Sequence, residues 1–142
     1  MTMRLAQTMR RLVADCRGMA MVELGLVSPI FFILAVGVLE VGRFVYMQQG
    51  VIAAVHQGGR YAIVHGSKSA APASTADIVT AVTNAAWFDA ANINASVSFS
   101  PDNNPGSKVV ITATYSWTSI APLLDHLLTT TITAKSEMTI LQ

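Results

Sequence analysis

The sequence predicts an α+β protein: a long N-terminal helix, first transmembrane and then amphipathic, a short second helix, and a small antiparallel sheet of about three strands. Three observations predict this fold. Residues 19–39 form an apolar run that contains one charge, Glu23. Residues 40–64 extend the run with one-sided helical periodicity. Residues 93–141 contain three segments in which apolar and polar side chains alternate.

The first element is a basic leader, residues 1–18. It carries four arginines against one acid and holds the single cysteine, Cys16. The arginines are expected to keep the leader in the cytoplasm, so the rest of the chain faces outward. An unmodified thiol is favoured over lipidation of Cys16. Without the leader, five basic residues oppose seven acidic ones, so no basic surface indicates nucleic acid.

The second element is the predicted transmembrane segment, residues 19–39. A helix of this length rises about 31 Å, close to the thickness of the hydrocarbon layer. Glu23 is unusual here, because an ionised acid in hydrocarbon costs several kcal/mol. Pro29 lacks the amide that would bond the carbonyl of Gly25. We therefore expect a kink or a locally melted turn, which is either passive or a hinge used when subunits pack.

The third element, residues 40–64, is predicted to continue the helix to about Ile63 with one apolar face. The residues predicted near that face are Val41, Phe44, Val45, Ile52, Val55, Ala62 and Ile63. Those predicted near the opposite face are Arg43, Gly50, Gln57 and Arg60. Glu40 and Arg43 are three residues apart at the outer edge of the span, so they are expected to pair along the helix, which is worth a few tenths of a kcal/mol if the pair is exposed. An inter-subunit contact is the alternative for this pair.

The remaining residues, 65–142, are predicted to form a small extracytoplasmic α+β head. It begins with a loop at residues 65–75, rich in Ser, Ala, Gly and Pro. A short helix follows, capped by Thr75 and ending between Trp87 and Ala90.

Three strands are predicted after that helix, at residues 93–99, 109–117 and 129–141. The turn-rich segment 100–107 makes the first two a hairpin with a long loop. Residues 122–128 are predicted to form one helical turn or a compact loop. A sheet with one apolar face needs a cover, which the amphipathic half of the long helix and the short helix supply.

No catalytic set, metal-ligand set or cofactor motif stands out in the sequence. His56, His65 and His126 share no metal-ligand spacing. Gly58 and Gly59 lie in a predicted helix with no strand before it, unlike a phosphate-binding loop. The aromatic residues at spacings typical of a core are Trp87, Phe99, Tyr115 and Trp117. The sequence therefore predicts a protein that is not an enzyme and binds no cofactor.

Four short motifs occur in order near the amino end: Gly18-Met19 with Glu23, Leu26-Val-Ser-Pro29, Glu40-Val-Gly-Arg43 and Gly58-Gly-Arg-Tyr-Ala62. In this combination the chain resembles the type IV pilin-like proteins, and most closely the TadE-like minor pseudopilins of tight-adherence (Flp) pilus systems. The resemblance covers roughly residues 17–64.

The resemblance implies that a membrane-embedded prepilin peptidase cuts after Gly18. The new amino terminus would be Met19, where many pilins have phenylalanine. In pilin-like assemblies the acid at the position of Glu23 is thought to pair with the terminal amine of an adjacent subunit, which would offset the cost of a carboxylate in lipid. The alternative for Glu23 is an acid near the inner edge of the span that reaches toward the lipid headgroups.

The resemblance further implies a structural function, as a minor subunit or priming factor in pilus assembly. The implied partners are the prepilin peptidase, the major pilin and a sister pseudopilin, an inner-membrane assembly platform and the lipid of the inner membrane. The implied location is the inner membrane, crossed once, with possible incorporation into the pilus. The alternatives are a secreted protein cut by signal peptidase at Ala35-Val-Gly37, and a hydrolase or sugar-binding domain on an anchor.

Overall fold

A computed structural model describes residues 16–120 and 130–141, and it has the predicted α+β architecture. Residues 122–128, and His126 among them, lie outside the described residues, as does most of the leader. The chain divides into two compact units, with the division between Leu39 and Glu40. In chain order the elements are helix α1 (Cys16–Val64), helix α2 (Thr75–Ala85), a 3-10 turn (Ala90–Asn92), and strands β1 (Ile93–Ser100), β2 (Lys108–Trp117) and β3 (Thr130–Thr139).

Helix α1 begins before the expected start and runs without interruption through Pro29. The locally melted turn expected at this proline is therefore absent. A single missing amide removes one hydrogen bond of the helix, and the chain keeps its helical conformation on both sides of it.

The three strands form one antiparallel sheet in the order β1-β2-β3. Ile93 pairs with Tyr115 at one end of the hairpin, and Ala113 lies between Ala95 and Ala134 in the middle of the sheet. The hairpin loop contains a cis bond before Pro101 and a positive φ of 89° at Gly106. Glycine suits that position because other residues rarely adopt this backbone conformation. The predicted hairpin with a long loop is confirmed.

The core of the second unit lies on one face of this sheet, and the strands alternate buried and exposed side chains as predicted. Helix α1 contributes its residues after Glu40, and α2 contributes Ile78 and Val82. The sheet contributes Ile93, Val109, Ile111, Ala113, Tyr115, Trp117, Ile132 and Ala134.

The packing face of α1 differs from the predicted one at three positions. Gly50, expected on the polar side, is buried, whereas Val41 and Val45 are exposed. The residues that α1 buries are Glu40, Gly50, Val51, Ala54, Val55, Gly58, Gly59 and Ala62. Small residues dominate because the helix approaches its neighbours closely: a Cβ on Gly59 would lie 2.9 Å from the sulfur of Met138. The other predicted residues do face the core: Val55 and Ala62 are buried, and Phe44, Ile52 and Ile63 are partly buried against it.

Helix α2 is capped one residue earlier than predicted, by Ser74. The Ser74 hydroxyl accepts a hydrogen bond from the amide of Asp77, and the Asp77 carboxylate accepts one from the amide of Ser74 at 2.9 Å. This reciprocal capping box satisfies two amides that the helix leaves unpaired. The bonds from the Ser74 side chain and backbone lower the pKa of Asp77. The helix ends at Ala85, so Trp87 lies beyond it.

Candidate functional site

The first unit exposes almost all of its apolar side chains. By length and composition, the helical segment Gly18–Val64 is apolar enough to cross a membrane, and its most apolar stretch is fully exposed in the structure. The exposed large apolar side chains before Glu40 include Met19, Leu24, Leu26, Ile30, Phe31, Phe32, Leu34 and Leu39. This surface needs an apolar environment that the described part of the chain does not provide, which indicates membrane anchoring.

The free energy that the apolar side chains of the anchor gain on insertion into a bilayer is larger than the cost of inserting its one acid. Residues 19–39 contain twelve Val, Leu, Ile or Phe residues, and each favours insertion at the centre of a bilayer by about 0.3–0.6 kcal/mol. An acid at the centre costs about 2.5–3.5 kcal/mol on the same scale, and less toward the edge. The segment therefore tolerates Glu23 thermodynamically, although the acid lowers the preference for lipid.

The residues of the predicted processing junction lie in the first turns of α1. A Cβ on Gly18 would meet nothing within 4 Å, and Met19 and Glu23 are exposed. Among the described side chains, none forms an ion pair with Glu23. The cation that would compensate this carboxylate is thus not supplied by the described part of the same chain. Cleavage after Gly18 and the pairing of Glu23 stay predictions.

Glu40 is buried, and this is the main departure from the predicted pair. The ion pair itself forms: Nη1 of Arg43 donates to Oε2 of Glu40 at 2.9 Å. Only 5% of Glu40 is exposed, however, and its Oε1 accepts a hydrogen bond from the backbone amide of Ile120 at 2.9 Å. The pair along the helix therefore forms as expected, but its acid is buried, so the small energy of an exposed pair does not apply. The acid binds the start of the head to a segment eighty residues further along the chain.

Arg43 completes this contact from the same helix. Its Nη2 donates to the carbonyl oxygen of Thr118 at 3.4 Å, and its guanidinium carbon lies 5.5 Å from the centre of the Trp117 ring. The edge of Phe44 also packs on that ring, with 5.5 Å between the centroids. We call Glu40, Arg43, Phe44, Trp117 and Ile120 the basal clamp. A buried carboxylate is stable only when it is paired and hydrogen-bonded, and the basal clamp provides both.

The basal clamp contains one unsatisfied donor. The indole Nε1 of Trp117 is buried and has no hydrogen-bond partner among the described residues.

Of the aromatic residues predicted to lie in the core, Trp117 and Tyr115 are buried. Phe99 is partly buried against the core. Trp87 is 51% exposed, so its assignment to the core is wrong. It follows the end of α2 and packs by its edge on Tyr46, with 4.2 Å between the centroids.

The described histidines do not form a binding site. His56 is exposed on α1. His65 stacks on Tyr61 at 4.1 Å, and its Nδ1 donates to the Tyr61 carbonyl oxygen at 2.9 Å. His65 lies directly after the last residue of α1, at the start of the predicted loop, and is partly exposed. Within residues 16–120 and 130–141 no group of three or more His, Cys, Asp or Glu side chains is placed to hold a metal ion.

The comparisons with known proteins identify the amino-terminal part of the chain. Residues 18–60 match the family model of the TadE-like proteins. The match confirms the resemblance to TadE-like proteins for this segment. It includes Gly18, Glu23, Glu40 and Arg43, but it ends before the sheet. No curated protein and no solved structure matches the chain.

Proposed function

We propose, from the TadE-like segment at residues 18–60, that this protein is a pilin-like structural subunit, a minor subunit or priming factor in the assembly of a tight-adherence pilus. It has no catalytic role and no cofactor in this proposal. Its partners are the prepilin peptidase, the major pilin, a sister pseudopilin and the assembly platform of the inner membrane. Other proteins of that machine drive its movement out of the membrane.

The observation that carries the proposal is the match at residues 18–60 together with the uncovered apolar surface of the anchor. An apolar helix that only crosses lipid has no use for an acid near its start. Glu23 has no ion-pair partner among the described side chains, so a partner from another chain is a consistent explanation. After cleavage behind Gly18, the positive amine of Met19 on a neighbouring subunit supplies that partner.

Amino-terminal sequencing of the mature protein tests the processing step. We expect the sequence to start at Met19. Replacing Gly18 with leucine is expected to block cleavage, because the bulky side chain prevents the peptidase from approaching the backbone at this position. Gly37→Leu is the matched control, since a Cβ at either glycine meets nothing within 4 Å. A start near Val38 indicates an ordinary signal peptide and overturns the proposal.

Co-purification tests the pairing of Glu23. The variant Glu23→Ala is expected to be cleaved normally but to recover less of its sister subunits from solubilised membranes. The matched control is Val22→Ala, which shortens a neighbouring side chain that is also exposed, without changing charge. Equal recovery of the partners by wild type and Glu23→Ala would contradict the pairing of Glu23. A chain that keeps residues 1–18 and still assembles pili would contradict both the pairing and the cleavage after Gly18.

A further inference from the structure

The basal clamp attaches a segment of α1 that has little other packing on the head. Of residues 40–49, only Glu40 is buried, whereas seven of residues 50–62 are buried. Both stretches belong to the second unit. Regions with few buried contacts open at a lower free energy than the core around them. The first turns of α1 in the head are therefore held mainly by the basal clamp, and the later turns by the core.

The apolar contacts of residues 40–49 leave the segment accessible to water. Phe44 and Met47 are only partly buried against the core. Tyr46 packs on Trp87, but both side chains are more than half exposed. Separating such contacts exposes little additional apolar surface, so the hydrophobic cost of opening is small.

The polar contacts of the basal clamp regain water when they separate. Oε2 of Glu40 accepts from Nη1 of Arg43, and Oε1 accepts from the amide of Ile120, each at 2.9 Å. Removing a carboxylate from water is costly, and an ion pair offsets that cost without a large surplus. In an open clamp, water solvates both charges and the amide. These bonds therefore make the closed position specific without making it strongly favoured.

The indole of Trp117 also favours opening. Only 3% of Trp117 is exposed, and its Nε1 has no hydrogen-bond partner among the described residues. Phe44 packs on this ring at 5.5 Å between centroids, and the guanidinium of Arg43 lies 5.5 Å from the ring centre. A buried donor without an acceptor raises the free energy of the closed state. Water can accept this hydrogen bond once α1 no longer covers the ring.

We propose that the basal clamp is a conformational latch: residues 40–49 lift away from the head as a helix, while residues 50–62 stay packed on the sheet and α2. The open state exposes the Trp117 indole and the Ile120 amide and leaves the core intact. In assembly, opening lets this part of α1 exchange its contacts with the head for contacts with a neighbouring subunit; this use of the latch rests on the function proposed above.

Hydrogen exchange measured by NMR on the full-length chain in detergent micelles tests the latch. Two protons report on it: the Ile120 amide and the Trp117 indole, whose signal is compared with that of the exposed Trp87. We expect both to show the same protection, lower by about tenfold or more than that of the amides in the central strand β2. Their exchange should also depend less on urea, because a local opening exposes less surface than global unfolding.

Two substitutions separate opening of the latch from unfolding of the core. Arg43→Gln removes the cation of the clamp, so it is expected to accelerate exchange of Ile120 and Trp117 by about tenfold or more. Val82→Ala weakens the fully buried core between α1 and α2, so it should accelerate exchange of the β2 amides. It should leave Ile120 and Trp117 unchanged, because Val82 stays packed when the latch opens.

A charge control uses the same helix. Arg60 is exposed on α1, and Arg60→Gln makes the same change of side chain outside the clamp. We expect it to alter neither Ile120 nor Trp117. An acceleration equal to that of Arg43→Gln would show a general effect of charge on the chain and would refute a specific latch.

The exchange data can overturn the latch in three ways. Ile120 and Trp117 protons that exchange only together with the β2 amides, or that respond to Val82→Ala, show that no local opening occurs. Fast exchange of Ile120 alone, with Trp117 as protected as β2, indicates fraying of the chain after β2. A Trp117 indole as unprotected as that of Trp87 shows that the clamp is not closed. Uncleaved protein or absent pili would contradict the proposed function, but neither changes the exchange of the isolated chain.

Discussion

Replacing Gly58 with alanine is expected to destabilise the head, although alanine is the better helix former. Gly58 lies on the packing face of α1, and a Cβ built there collides with Cγ2 of Val82. It would also contact Cδ1 of Ile111 and the carbonyl oxygen of Ile78, each at 3.6 Å. The new methyl group is therefore enclosed by α2 on one side and by the sheet on the other.

The magnitude follows from two opposing terms. Alanine in place of glycine inside a helix gains about 1 kcal/mol of intrinsic propensity. Overfilling a packed core costs about 1–3 kcal/mol, because side chains leave their rotamers or the backbone shifts. Val82 is fully buried, and a β-branched side chain in a helix has one strongly preferred rotamer, so it cannot turn away. We expect Gly58→Ala to lower the free energy of unfolding by about 1–2 kcal/mol in total.

Two other glycines of the same helix serve as controls. Gly42 is exposed and a Cβ there meets nothing within 4 Å, so Gly42→Ala is expected to stabilise the protein by up to about 1 kcal/mol. Gly59 faces the sulfur and terminal methyl group of Met138, which is a flexible side chain. The effect of Gly59→Ala is therefore expected to fall between the other two.

The assay is urea unfolding of the full chain in detergent micelles, followed by the emission of the buried Trp117. A double-mutant cycle with Val82→Ala identifies the cause, because removing the Val82 methyl groups makes room for the new Cβ. We expect a favourable coupling of about 0.5–3 kcal/mol between the two substitutions. If Gly58→Ala is as stable as Gly42→Ala, or if the two substitutions are simply additive, close packing at Gly58 is not what excludes a side chain.

Two further predictions concern polar groups of the head. Glu40→Ala leaves the amide of Ile120, in a partly buried hydrogen bond, and the guanidinium of Arg43 without their shared acceptor, so it is expected to destabilise the protein by about 1–3 kcal/mol. Glu40→Gln keeps an acceptor for the amide, and thermal unfolding should rank it between Ala and wild type. Equal melting temperatures for the two variants would show that the hydrogen bond to Ile120 contributes nothing. Because hydrogen bonds from Ser74 lower the pKa of Asp77 in the folded protein, their stabilisation is present above the ordinary aspartate pKa of about 4 and is lost as the pH falls through the lowered value. The stability deficit of Asp77→Asn should therefore be present at neutral pH and shrink in acid, and a deficit that is independent of pH would contradict the capping assignment.

The elements of this protein could be predicted because each has a local pattern. Ile93 to Phe99 alternate with polar residues, and the structure has β1 at Ile93–Ser100. The boundaries were less accurate. Thr75 and Ser74 both carry hydroxyl groups, and only the extended backbone of Ser74, with φ −76° and ψ 166°, decides that it is the cap.

The packing of the elements was harder to predict. From the sequence, the core-facing side of a helix is predicted from its large apolar side chains, and Val41 and Val45 were therefore predicted to face the core. Where the helix packs closely against its neighbours, only small residues such as glycine and alanine fit, and Gly50 is buried for this reason. Trp87 was assigned to the core because its spacing from the other aromatic residues suits core packing, but the row of rings from Tyr115 through Phe88 leaves it at the surface.

The amino-acid sequence by itself determined the basic segment before Gly18, the apolar run with its one acid, the α+β class and the TadE-like motifs, because these depend on neighbours along the chain. The tertiary structure alone decided that Glu40 is buried and that Tyr46 meets Trp87. Both depend on partners far away in the sequence: the Ile120 amide for Glu40, and the segment after α2 for Tyr46. The sequence does not show which backbone amide will bind a given carboxylate, because every residue except proline has a backbone amide.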